Sequence, residues 1–147
     1  MLLLGVKNTT TQSVLADGLV NIGSPYRRYC KKNVCGVPTF SVTANGISLL
    51  QSGIYHITAT FIATAPVAGD VTLQLLVNNE AVEGALSTET ITTATTELRT
   101  FVIDYFVLVD KDCVLGAETT SSATISFENT GVPSTITNVV VNVVKEV

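Results

Sequence analysis

Ser52–Ala85, SGIYHITATFIATAPVAGDVTLQLLVNNEAVEGA, decides how this chain is read. From Ile54 to Thr64 the residues alternate: Tyr55, Ile57, Ala59, Phe61 and Ala63 share one face, and His56, Thr58, Thr60 and Thr64 the other. A period of two residues is that of a strand with one face in a core. The pattern resumes at Val71, with Val71, Leu73, Leu75 and Val77 opposed to Thr72, Gln74 and Asn78. The stretch therefore predicts two long, almost uncharged strands joined across a Pro-Gly turn, the second ending in a hairpin at Asn78-Asn79-Glu80.

The same alternation extends outward in both directions. Upstream, Phe40–Leu49 (FSVTANGISL) places Asn45-Gly46 between two alternating runs, the signal for a two-residue hairpin with both turn residues at positive φ. Downstream comes a short strand around Val82, then a Thr-rich stretch, Leu86–Leu98, whose Thr and Ile favour strand. Further strands are expected at Arg99–Val109, Ala123–Asn129 and Thr135–Val147, the last two joined by TGVPS. No segment shows helical periodicity, and turn signals recur roughly every 8 to 12 residues, as in a β-sandwich or barrel. Residues 1 to about 29 are less regular. They predict an N-terminal leader and Cys loop over 1–35, ahead of a single β-domain over 36–147; 147 residues suit about one domain.

Two strands break the usual economy of a sandwich, in which only one face of each strand must be apolar. Behind the face of Phe101, Ile103, Tyr105, Val107 and Val109, the strand Arg99–Val109 also carries Val102, Phe106 and Leu108 around Asp104. In the last strand Val140 and Val144 back Val139, Val141 and Val143. Exposed together, Val102, Phe106, Leu108, Val140 and Val144 would form a patch of several hundred Å², larger than monomers usually tolerate. A subunit interface is expected there.

Bulk composition agrees. The chain is 46% hydrophobic and 14% charged, with a mean hydropathy of +0.45. Yet its longest apolar runs, such as Phe106–Val109, are far short of the roughly 18 residues of a membrane helix. The opening MLLLGVK lacks the basic and long apolar regions of a secretory signal, so synthesis inside the cell is expected. A net charge of −4 argues against general nucleic-acid binding.

G-I-Y-x-I at Gly53–Ile57, followed by V-x-L-x-L from Val71 and V-x-G-A at Val82–Ala85, resembles the complement-q globular head and tumour-necrosis-factor superfamily, with bacterial and phage members nearest. The resemblance covers roughly Phe40–Val147. It implies an all-β, two-sheet antiparallel jelly-roll sandwich assembled as a homotrimer about a threefold axis. It also implies that Gly53–Tyr55 opens a core strand and that Ile125–Phe127 and the terminal strand close the roll. A collagen-like stalk, present in the complement and spore-coat relatives, is missing.

Chemistry-bearing residues are few. His56 is the lone histidine, predicted mid-strand, with no nucleophile motif to serve; it reads as a sheet or interface histidine and no catalytic residue is assigned. Cys30, Cys35 and Cys113 are the only thiols available as metal ligands, too few and too dispersed for a zinc site, so no metal and no cofactor are expected. Free thiols are the plain expectation; a Cys30–Cys35 disulfide would follow release from the cell. Asp110-Lys111-Asp112 reads as a turn rather than a calcium site, and Asn8-Thr9-Thr10 matches a glycosylation acceptor. Arg27, Arg28, Lys31 and Lys32 gather half of the eight basic residues, interleaved with Tyr26 and Tyr29. In three copies they would form a positive ring for an acidic partner or anionic glycan; a solvated loop is the plainer reading.

The resulting expectation is a non-enzymatic structural protein on a phage virion surface, a capsid decoration or head-fibre module. Its arm, residues 1–35, would attach it to the particle, with no membrane partner. The alternative is a glycan- or receptor-binding module on a bacterial, spore or virion surface, using loops at Ala63–Asp70 or Leu86–Thr96.

Overall fold

The computed structural model describes residues 2–29, 39–109 and 123–146. They form twelve strands: β1 (Leu2–Asn8), β2 (Gln12–Val14), β3 (Gly18–Leu19), β4 (Ser24–Tyr29), β5 (Phe40–Thr43), β6 (Gly46–Leu49), β7 (Gly53–Thr64), β8 (Gly69–Val77), β9 (Glu80–Ile91), β10 (Arg99–Val109), β11 (Ala123–Asn129) and β12 (Ser134–Lys145). No helix occurs among the described residues.

Two antiparallel sheets face each other. Sheet A runs β10-β7-β12-β1-β4, with β2 beside β12; sheet B runs β5-β6-β11-β8-β9, with β3 beside β11. Successive strands stay in one sheet only at β1–β2, β5–β6 and β8–β9; at every other step the chain changes sheet, which winds it into a jelly roll. The alternation read from Tyr55 to Ala63 is the packing pattern: all five residues on that face are fully buried. They meet sheet B through Phe61 against Phe127, ring centroids 5.2 Å apart at 68°, and Tyr55 against Phe40 at 6.0 Å. Such edge-to-face pairs add to the stabilisation from area burial alone. The Tyr55 hydroxyl donates to the Gln51 carbonyl at 2.6 Å, and burial holds its phenol above the ordinary tyrosine range.

The amino-terminal segment departs from the leader expected over 1–35. Strand β1 is interior to sheet A, paired along its length with β12 and on its other side with β4. Leu4, Val6, Val14, Val20 and Ile22 are buried in the common core. Backbone bonds from Val20 to Phe127 and from Ile22 to Ala44 tie this segment to sheet B as well. Its irregular sequence reflects short strands and bends, not detachment. A boundary near Gly36 falls outside the described residues, as do Cys30, Lys31, Lys32, Cys35, Asp110-Lys111-Asp112 and Cys113.

The hairpin at β5–β6 forms, but its two-residue loop is Ala44-Asn45, since Thr43 pairs with Gly46. Neither loop residue nor Gly46 has positive φ. Gly46 instead opens β6 in close approach to its neighbour: a Cβ there would lie 2.9 Å from the Ile125 carbonyl oxygen. The left-handed turn belongs to Asn78 and Asn79, with φ of 52° and 64°, between the paired Val77 and Glu80. Asparagine tolerates that region, which suits a two-residue hairpin. Gln74, expected on the polar face, is buried at a bulge in the β8–β9 pairing. Its side-chain nitrogen lies within hydrogen-bonding distance of the Leu75, Val82 and Ala85 carbonyls.

Candidate functional site

The residues expected at an interface lie on one surface, the outer face of sheet A. Strand β10 presents Val102, Phe106 and Leu108 at 53%, 57% and 67% exposure, while Val140 and Val144 of β12 are half-buried on the same side. Ile54 at 39% exposure extends the patch beside Leu108, its pairing partner. The alternation two residues before His56 already carried that signal. Among the described residues no strand pairs with the free edge of β10. A long apolar edge of this kind is a template for association unless something covers it.

Strand register resolves the face into rows. One runs Phe106, His56, Val144, Leu3; the next runs Asp104, Thr58, Asn142, Gly5, Arg27; the third runs Val102, Thr60, Val140, Lys7. A polar row is thus flanked by one that is largely apolar and one in which Val102 and Val140 alternate with Thr60 and Lys7. His56 stacks on Phe106, centroids 4.4 Å apart at 14°, and its Nε2 lies 2.5 Å from Asp104 Oδ1, with Glu146 Oε1 3.9 Å from Nδ1. The imidazole is held between an aromatic ring and carboxylates, with no nucleophile in the contact set. Sequence reasoning missed this pairing because residues 56 and 104 meet only through the β7–β10 register.

At the other edge, Gly5 makes room for Tyr26: a Cβ at position 5 would lie 2.7 Å from the tyrosine ring. The Tyr26 hydroxyl donates to Asn142 Oδ1 at 2.8 Å, and Lys7 Nζ sits 5.4 Å from the ring centroid. Tyr26 is therefore engaged in the sheet. Arg27 and Arg28 are exposed on β4 and make no ion pair or hydrogen bond among the described residues. Asn8 is likewise occupied, donating to the Asn21 carbonyl while accepting from the Thr10 amide.

The two loops expected to bind a ligand lie at one end of the roll, joined by the Thr95 amide donating to the Ala65 carbonyl at 2.9 Å. The second is shorter than expected, because Leu86–Ile91 belongs to β9. Its turn is organised by Glu97, whose Oε2 accepts from the amides of Thr92 and Thr93 and from the Thr92 hydroxyl, while Oε1 pairs with Arg99. The amide of Thr93, then the amide and hydroxyl of Thr92, then Arg99, hold the carboxyl down at about 2 against their opposing desolvation. A carboxylate with a depressed folded value stabilises the turn fully above its unfolded value of 4.5, and loses that contribution progressively as the pH falls from there through about 2. A carbon-detected titration should place the Glu97 midpoint near 2, with the Thr92 and Thr93 amide shifts flat from neutrality to pH about 4; a midpoint at the ordinary glutamate value would contradict the turn.

Among the described residues no group of three or more His, Cys, Asp or Glu side chains is placed to hold a metal ion. No family model matches the chain, and no curated protein does. Solved structures match along its whole length. The Eiger TNF of S. frugiperda aligns with a TM-score of 0.67 at 10% identity, over 99% of this chain and 91% of that one. The globular domain of zebrafish complement 1qA aligns with a TM-score of 0.64 at 8% identity, over 100% and 98%. The PRD1 vertex protein P5 aligns with a TM-score of 0.51 at 18% identity, over 96% and 95%. With its two sheets and its strand order, the chain has a jelly-roll fold similar to those of these tumour-necrosis-factor and complement 1q structures.

Proposed function

We propose that this chain is a non-enzymatic structural module that works as a homotrimer, with the outer face of sheet A buried between subunits, and that the trimer is displayed on a phage virion. The observation that carries the reading is the edge of β10, which pairs with no strand among the described residues, together with its exposed apolar side chains Val102, Phe106 and Leu108. Burying each such side chain contributes roughly 1.5 to 3 kcal/mol, and a closed ring of identical chains is the common way to cover one repeated patch. Likeness in fold to a phage vertex protein supports the particle surface as its place. Because β1 to β4 are built into the sandwich, attachment through a free amino-terminal arm has no support among residues 2–29.

Native mass spectrometry and sedimentation at micromolar concentration should give three times the 15.5 kDa chain mass. A well-folded monomer there would overturn the assembly. Flanking genes for capsid, portal and tail proteins would support the virion, whereas sporulation genes would move the protein to a spore coat.

A further inference from the structure

We infer that Asp104 and Arg27 are the two halves of an inter-subunit ion pair that sets the register of the ring; this rests on the homotrimer proposed above. Both residues belong to the same transverse row of sheet A, traced by the pairings Asp104–Thr58, Thr58–Asn142, Asn142–Gly5 and Gly5–Arg27. They stand at its opposite edges, on β10 and β4. Four inter-strand spacings separate them, about 19 Å, too far to meet within one chain.

A ring of identical subunits joins two different patches of each chain, head to tail. Here the two edges differ in charge sign. The β10 edge offers Asp104, with a side chain 60% exposed and one carboxylate oxygen within reach of His56, while the other makes no hydrogen bond among the described residues. The β4 edge offers Arg27, exposed and without an ion pair among the described residues. Within the row, the Tyr26 hydroxyl donates to Asn142 Oδ1, tying β4 to β12 across β1. Val102 and Phe106 flank the acid on β10, so closing the ring shields the pair from water, where a charge pair discriminates strongly between registers. A second copy of this chain is therefore the partner whose charge pattern matches at both edges.

The test is a charge swap read by sedimentation velocity over a concentration series at low salt, with far-UV circular dichroism as the check on folding. Arg27→Asp and Asp104→Arg should each raise the concentration at which trimers form by about tenfold or more, and the double variant should return it to within about threefold of wild type. Arg27→Asp leaves the His56–Asp104 contact untouched, so its effect reads charge at the edge alone. Wild-type trimers indifferent to both single reversals, or a double variant as weak as either single one, would overturn the pairing and leave the trimer standing. A folded wild-type monomer would remove both.

Discussion

Deleting residues 1–8 is expected to abolish the folded state. Strand β1 is hydrogen-bonded on both sides, to β12 and to β4, and it buries Leu4 and Val6 completely. Losing two such side chains from a core costs about 3 to 6 kcal/mol by burial alone, and the vacated slot in the middle of sheet A leaves cavities and unpaired backbone groups on β12 that add to it. Domains of this size have a net stability of only about 5 to 15 kcal/mol. The shortened chain should therefore lose amide dispersion in its nitrogen–proton spectrum and its cooperative thermal transition. A truncated chain that kept both would mean that β1 is dispensable, as an attachment arm would be. Replacing Leu4 and Val6 with alanine in the full-length chain separates the two effects: the sheet keeps its strand, and the melting temperature should fall by several degrees or more.

That deletion also marks where sequence was least informative. Long strands were legible because each has to bury a whole face: β7, β10, β11 and β12 lie within a residue or two of the alternating runs. Tyr55, Ile57, Ala59, Phe61 and Ala63 form the core as the period of two dictates. In β1, by contrast, Leu4 and Val6 mark the buried face among the described side chains, while Gly5 opposite them is small for a reason that lies on another strand, the Tyr26 ring laid over it. Turn chemistry shows the same limit. Asn45-Gly46 carries the stronger local hairpin signal, yet the nearness of the β11 backbone claims its glycine, and the left-handed turn goes to Asn78-Asn79. The apolar character of the Val102–Phe106–Leu108 face was plain from alternation. The row that joins Asp104 to Arg27 was not, because it depends on four strand registers and a bulge at Tyr26, none of which a single strand encodes.

Phe106→Asp should convert trimer to folded monomer. The side chain is 57% exposed in the isolated subunit and packs outward against the His56 ring, so replacing it removes little from the core. Secondary structure and the melting transition of the monomer should be retained. In the trimer the same substitution replaces an apolar group worth roughly 1.5 to 3 kcal/mol with a carboxylate whose desolvation costs several kcal/mol more. It also sets that charge beside Asp104, two residues away on the same face of β10. A loss of even about 3 kcal/mol at each contact is roughly a hundredfold in affinity per interface, and a closed ring of three suffers it three times. Sedimentation should then report the 15.5 kDa chain mass at micromolar concentration. Thr72→Asp, on strand β8 of sheet B and outside the proposed interface, is the comparison that separates a specific loss from a general effect of added charge. If Phe106→Asp remained trimeric, the contact between subunits would lie on another surface, and the exposed row of β10 would need a different partner.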